Sequence, residues 1–379
     1  MSGVAGFVAA GVACGIKESG APDLALVATA DGQPVPAAGV FTSNLAAAAP
    51  VEVSRAHLGA TGGYASAVVI NSGNANAATG AAGREQAERT CALVADGLGC
   101  RPEEVLVCST GLIGIPLPFG ALESGISPLL GARHAGGFPD AAVAMMTTDL
   151  APKDVMRTAE GFVVRGIAKG AAMLAPDMAT MLAVLATDAE ATPAELQAFL
   201  RAAVAGSFNV LSVDGATSTN DTVIAFAGGA AGPRPELAGV MADVCEELAT
   251  LMADGAEGAT KRARVRVVGA ASVEDARRAA RKVAESQLVQ CSLYGADPYW
   301  GRIVSELGSA GAAFDIDTVS IAYDGVVVCR AGVAVDYDGP LLQQREVEIT
   351  CDLGLGDGAA VMTFTDLSPE YIAENMRTS

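Results

Sequence analysis

The sequence predicts an α/β or α+β chain built in layers, with helices packed on stacked sheets. Three observations carry that reading. β-rich runs alternate with helical segments through the first two thirds of the chain, and the last third changes to closely spaced strands with a hairpin. Hydrophobic residues make up 51% of the chain, aromatic residues 4% and charged residues 18%, which gives a sizeable core of Ala, Val, Leu and Ile and excludes a disordered chain. A length of 379 residues suits two domains or one large two-lobed domain.

The elements follow in order. Residues 64–71 form a β-rich run leading into a Gly/Asn turn. Thr79 stands where a helix to about Leu98 would be capped, with Gly99 just beyond its end. Residues 105–108 read as a short buried strand entering Ser109-Thr110-Gly111. Residues 161–167 and 182–187 read as strands on either side of an apolar segment. Thr192-Pro193-Ala194-Glu195 is a capping box with Pro at the first helical position, opening a helix to about Val204. Further helices are expected near 235–253 and 273–288, and residues 264–268 alternate as a half-buried strand. Residues 319–329 form a hairpin with Asp324-Gly325 at its turn, followed by strands at 346–352 and 360–365. No fixed-period repeat and no long polar linker is visible.

Composition narrows the function. The net charge is −19, which argues against nucleic acid and anionic membranes as partners. One basic stretch breaks the trend: Lys261, Arg262, Arg264, Arg266, Arg277, Arg278, Arg281 and Lys282. It reads either as a solvated strand edge and helix face or as an electrostatic guide for carboxylate substrates. With two histidines, His57 and His134, a His-rich zinc site is excluded, and both read as surface or loop residues. Eight cysteines without a C-x-x-C pair read as reduced thiols, and the apolar residues 3–16 are too short to span a bilayer, so a cytoplasmic protein is expected.

The most informative segment is Lys169-Gly-Ala-Ala-Met-Leu-Ala-Pro-Asp-Met-Ala-Thr-Met-Leu-Ala183. By composition it is a buried turn feeding the next strand. A lone Thr hydroxyl is a weak nucleophile unless a base stands beside it. A Thr at a chain terminus has its own α-amine as that base, and an α-amine titrates at about 8. An internal Thr gains such an amine only when the preceding peptide bond is cut.

The pattern Lys-Gly-x-x-Met-x-x-Pro-x-Met-Ala-Thr-Met-Leu resembles the signature of the ornithine acetyltransferase (ArgJ) family, also called glutamate N-acetyltransferase. Phe41-Thr-Ser-Asn44, Asn71-Ser-Gly-Asn-Ala-Asn-Ala-Ala-Thr-Gly80, Ser109-Thr-Gly-Leu-Ile-Gly114 and Met146-Thr-Thr-Asp149 are similar to further family blocks. So are Val213-Asp-Gly-Ala-Thr-Ser-Thr-Asn-Asp221, Glu257-Gly-Ala-Thr-Lys261, Asp297-Pro-Tyr-Trp-Gly-Arg302 and Tyr371-Ile-Ala-Glu-Asn375, all in family order. The chain departs from the pattern at Ala172, Ala216, Ala256 and Tyr299, and its tail after Asn375 is one residue short.

The resemblance implies an N-terminal-nucleophile-like sandwich, self-cleaved between Ala179 and Thr180 into an alpha chain of residues 1–179 and a beta chain of residues 180–379. It implies acetyl transfer from N2-acetyl-L-ornithine to L-glutamate through an acetyl-Thr180 intermediate, in arginine biosynthesis, with no cofactor and no metal. Thr110 and Gly111 take the oxyanion role. Thr147, Lys169, Thr180, Glu257, Asn375 and Ser379 take substrate-binding roles. Read without the family, Ser109-Thr110-Gly111 is a strand-ending turn, Lys169 a snorkelling surface lysine and Glu257 one carboxylate among 43. The implied assembly is a heterotetramer of two alpha and two beta chains, and acetyl-CoA stays open as a second donor. The rival readings are a paralogous acyltransferase of a secondary-metabolite, clavulanic-acid-type pathway, an N-terminal-nucleophile amidase or aminopeptidase, and an uncleaved binding protein.

Overall fold

The computed structural model describes residues 3–173 and 181–376. The expected cleavage bond Ala179–Thr180 and the tail residue Ser379 lie outside the described residues. The chain divides into two compact units, one formed by Met1–Asn209 with Thr217–Met252 and the other by Val210–Ala216 with Ala253–Thr378.

The first unit holds two sheets. One has four strands in the order Phe7–Val12, Leu24–Thr29, Ala67–Asn74 and Val105–Leu112. The other has six, in the order Tyr64–Ala65, Val35–Phe41, Thr222–Pro233, Leu182–Glu190, Phe162–Lys169 and Lys153–Ala159. Side chains alternate across a strand, so the wholly buried run Leu24–Thr29 serves two layers. Ala25 and Val27 join Ile70, Leu106, Ile167, Val184, Ile224 and Phe226 in the core between the sheets. Leu24, Leu26 and Ala28 pack outward among Val94, Leu122 and Leu129, which belong to the helices Gly80–Leu98 and Phe119–Ala132. On the far face of the second sheet, Gly166 leaves room for Leu248 and Val244, whose nearest atoms would stand 2.8 Å from a Cβ there. The expected layers of helices on stacked sheets are present.

Local signals set the ends of these elements. Thr192 and Glu195 form the expected reciprocal cap on helix Pro193–Gly206, which carries the chain across between two parallel strands. Gly99 closes helix Gly80–Leu98 with φ 75°. Thr79 occupies the cap position of that helix but caps nothing: its hydroxyl donates instead to Asn76 Oδ1 at 2.7 Å.

The second unit is a seven-stranded sheet in the order Leu211–Ser212, Gly358–Thr365, Arg262–Ala270, Glu346–Asp352, Ser320–Tyr323, Val326–Arg330 and Val333–Ala334. Asp324 and Gly325 turn the hairpin with φ 49° and 82°. Ala263, Val265 and Val267 face a core shared with Ala279, Val283, Leu293 and Ile303. The helix expected over 273–288 is two, Val273–Ala284 and Gln287–Tyr294, because Glu285 closes the first and Ser286 caps the second. The basic stretch is largely a solvated face paired with carboxylates. Arg262 meets Glu346 at 2.7 Å and Asp254 at 3.3 Å, Arg278 pairs with Asp275, and Arg281 meets Glu285 at 2.9 Å. No helix among the described residues is long and apolar enough to cross a membrane.

Candidate active site

Ser109, Thr110 and Gly111 are not a turn after a strand. They lie within the strand Val105–Leu112, in parallel register with Asn71, Ser72 and Gly73. Gly111 has φ +132°, and a Cβ on it would stand 2.3 Å from the Gly73 carbonyl carbon. Only glycine fits there.

The Asn-rich block expected as a turn continues the partner strand and then locks the segment in place. Ser109 Oγ donates to Asn71 Oδ1 at 2.6 Å, and Asn71 Nδ2 donates to the Asn74 carbonyl at 2.8 Å. Asn74 Nδ2 donates to the Ile115 and Pro116 carbonyls at 3.1 and 3.2 Å. Asn220 Nδ2 reaches the Ala75 and Ser109 carbonyls at 2.6 and 2.9 Å. The backbone around Thr110 is thereby fixed by side chains from three chain regions.

Lys169 is not a snorkelling surface residue. It is 3% exposed and its Nζ donates to Thr110 Oγ1 at 3.3 Å, with Thr110 2% exposed. An ammonium can only donate, so the Thr110 oxygen accepts and its hydroxyl proton is directed elsewhere. That leaves a polarised O–H donor beside the backbone of Gly111.

Asp149 ties Thr147 to the backbone that follows Lys169. Its Oδ2 accepts the Thr147 N–H at 3.1 Å, while Oδ1 accepts the Gly170 N–H at 2.7 Å and Lys153 Nζ at 2.5 Å. Burial opposes its charge, but Lys169, Lys153 and the Gly170 N–H outweigh burial and hold the carboxyl down at about 2. Of the neighbouring threonines, Thr147 is half-buried and Thr148 exposed.

A second buried carboxyl stands beside the residue that follows the expected nucleophile. Asp221 is 0% exposed, and its Oδ1 accepts the Met181 N–H at 2.9 Å. Thr222 N–H donates to the Met181 carbonyl at 3.1 Å, so both backbone groups of Met181 are held. Among the described residues Asp221 Oδ2 is buried without a hydrogen-bond partner. Burial pushes this carboxyl well above the usual range, against the opposing pull of the Met181 N–H, Ser218 and Lys169.

In the second unit Glu257, 8% exposed, accepts Asn375 Nδ2 at 2.8 Å. The last helix, Pro369–Asn375, is seated by Ser368, which donates to the Gly258 carbonyl at 2.6 Å and accepts the Tyr371 N–H at 3.2 Å. Tyr371 Oη donates to Asp214 Oδ2 at 3.0 Å. Burial and Asp214 push the phenol upward, so it remains a neutral donor.

The structure therefore brings Thr110, Gly111 and Lys169 together, links Thr147 through Asp149 to Gly170 next to Lys169, and joins Glu257 to Asn375. Ala179, Thr180 and Ser379 lie outside the described residues. Sequence reasoning quoted Asp149 and Asp221 inside its motifs yet gave neither a task. Their only sequence signal was a carboxylate ending a quoted motif block. Among the described residues no group of three His, Cys, Asp or Glu side chains is arranged to hold a metal ion.

Comparison with known proteins places this geometry in context. The sequence model of the ArgJ family matches residues 8–378. The "Arginine biosynthesis bifunctional protein ArgJ" of Thermobifida fusca is 44% identical over 374 residues, covering 98% of this chain and 97% of that protein. The protein of the same name from Mycobacterium tuberculosis is 46% identical over 383 residues, covering 98% and 94%. A crystal structure of ornithine acetyltransferase complexed with ornithine, also from Mycobacterium tuberculosis, is 42% identical with a TM-score of 0.41, covering 46% of this chain and 95% of that one.

Proposed function

The chain belongs to the ArgJ family, acyltransferases of arginine biosynthesis, and from that premise we propose that it moves the acetyl group of N2-acetyl-L-ornithine to L-glutamate through an ester on Thr180. The relatives carry "bifunctional" in their names, which supports acetyl-CoA as a second acetyl donor to glutamate. The active form would arise by self-cleavage at Ala179–Thr180, giving chains 1–179 and 180–379 that assemble as a heterotetramer in the cytoplasm.

The observation that carries this reading is the hydrogen bond from Lys169 to Thr110 beside Gly111. Acyl transfer needs donors aimed at an oxygen that becomes negative in the transition state. The Thr110 O–H, with its oxygen already accepting from an ammonium, and the Gly111 N–H supply two. Thr180 Oγ attacks the acetyl carbonyl carbon while the Thr180 α-amine takes the hydroxyl proton. The C–N bond of acetylornithine breaks, and the departing amine receives that proton. The glutamate amine then attacks the ester and gives a proton to the Thr180 α-amine, which passes it to the Thr180 oxygen as that oxygen leaves. Lys169 and Thr147 receive the amino-acid carboxylate. Glu257 pairs with an ammonium, and Asn375 and Ser379 complete the substrate contacts.

Intact mass spectrometry tests the proposal. Wild type should give two pieces and Thr180→Ala one. Acetylornithine alone should add about one acetyl group to the 180–379 piece. A Thr180→Ala chain that still splits at the same bond, or a wild-type 180–379 piece that never carries acetyl, overturns it.

A further inference from the structure

The loop at residues 14–17 is built with unusual economy around one carboxylate. Asp23, 0% exposed, accepts four successive backbone N–H groups: Cys14 at 2.6 Å, Gly15 at 3.1 Å, Ile16 at 2.7 Å and Lys17 at 2.9 Å. Its own backbone is held too, its N–H donating to the Val12 carbonyl at 2.9 Å and its carbonyl accepting the Ser72 N–H at 2.9 Å. Four donors on one carboxylate hold it in place and fix Lys17 relative to the strand Ala67–Asn74. Lys17 Nζ donates to the Pro22 carbonyl at 2.7 Å, which leaves an ammonium two further protons to offer.

The side chain of Lys17 lies across Gly73. A Cβ on Gly73 would stand 3.1 Å from Lys17 Cγ, and Gly73 is the register partner of Gly111. Lys17 therefore packs over Gly73, the register partner of the proposed oxyanion donor Gly111. It is half-buried rather than sealed in. Burial lowers its affinity for a proton most; Asp23 raises that affinity, Lys169 lowers it and Asp149 raises it. Those influences put Lys17 within the electrostatic reach of the Lys169–Asp149 cluster. Lys17, Lys153 and Lys169 thus stand with three buried carboxyls, Asp23, Asp149 and Asp221. Asp23 is occupied by backbone amides, and Asp149 by Lys153 and the Gly170 N–H. In a chain of net charge −19 this gathers three ammonium groups in one region of the first unit.

The two amino-acid substrates differ in how many cations they need. Acetylornithine has one carboxylate and a distal ammonium. Glutamate has the equivalent carboxylate and a second, distal one. One lysine serves the shared carboxylate, and the distal carboxylate of glutamate calls for a cation of its own. Resting on the acetyl-transfer reading above, we propose that Lys17 is a specificity-determining residue that receives the second carboxylate of a dicarboxylic amino-acid acceptor.

The test compares acceptors. Acetyl-enzyme formed from acetylornithine is discharged with glutamate, with glutamine, or with labelled ornithine in the exchange reaction. Lys17→Met should lower kcat/KM for glutamate about 10- to 100-fold more than for ornithine, chiefly through KM, as expected for loss of one charge-assisted hydrogen bond. Lys17→Arg should recover most of that ratio. Equal losses for both acceptors, or an unchanged ratio, overturn the proposal. Wild type carries a second arm that needs no variant to fold: it should prefer glutamate over glutamine at least about 10-fold, and a preference within about 3-fold overturns the proposal equally. Wild type that discharges to no acceptor overturns the acetyl-transfer reading and this inference with it, and that failure shows before any variant is made.

Discussion

Thr110 is both acceptor and donor in one buried place, so its replacement by Ala removes an oxyanion donor and also the partner of a buried ammonium. Thr110→Ala should cut kcat roughly 10²–10³-fold with little change in KM, checked by steady-state kinetics on both half-reactions. Normal turnover would return Thr110 to a structural role. The two buried carboxyls nearby predict opposite pH behaviour. Asp149 is held down at about 2, below its unfolded value of about 3.9. The stability it adds is present above about pH 4 and is lost as pH falls through about 2. Asp221 is pushed up by burial, so its protonated form fits the fold, and stability declines as pH rises from about 4 toward its raised value. Asp221→Asn removes that decline, and its melting temperature should change less than that of wild type between pH 5 and pH 8. Parallel melting curves for the two proteins across that range would show that Asp221 does not titrate as its burial requires. Neither carboxyl was assigned a task from sequence. Gly170 and Met181, the partners that matter, are 21 and 40 residues away, and such distances are set by sheet pairing that no local pattern encodes. Thr110 and Lys169 were found because a contiguous motif surrounds each.

Elements were legible wherever the signal was local, as in the Thr192 capping box, the Gly99 stop and the Asp324-Gly325 turn. They were misjudged where tertiary partners overrode local chemistry. Polar residues at 71–74 and 109–111 read as turns, yet both stretches are strand, because Asn71, Asn74 and Asn220 supply hydrogen bonds that a sequence window cannot see. The two strands meet at Gly73 and Gly111 with no room for a side chain on Gly111. Gly111→Ala would place a Cβ 2.3 Å from the Gly73 carbonyl carbon at φ +132°. Backbone strain alone costs about 1–3 kcal/mol, and the strands must also separate, so a lower melting temperature and loss of acyl transfer are expected together. Wild-type melting and turnover in that variant would mean the pairing tolerates a side chain, and the oxyanion assignment would lose its geometric basis.

At the scale of the molecule, the proposed cut divides the chain but not the fold. Phe162–Lys169 and Leu182–Glu190 pair antiparallel from Val164↔Thr187 to Lys169↔Leu182, with one strand on each side of residue 180. Thr222–Pro233, also downstream, lies between Leu182–Glu190 and the upstream strand Val35–Phe41. The core between the sheets is shared in the same way. Phe7, Val27, Ile70 and Leu106 come from the first piece, and Leu182, Val184, Ile224 and Phe226 from the second. The Phe7 and Phe226 rings meet with centroids 6.2 Å apart. Each such side chain contributes about 1.5–3 kcal/mol on full burial, and the ladder bonds cannot be replaced by water without opening the sheet. Cleavage should therefore leave one particle. An affinity tag on the 1–179 piece should retain the 180–379 piece in equal amount through dilution and high salt, since apolar burial is not screened. The pieces should part only in denaturant, with a single unfolding transition for the first unit. Separation in native buffer would mean that the strands on either side of residue 180 are not held together by the shared core, and the self-cleaved form would have to be reassembled before it could carry out acetyl transfer.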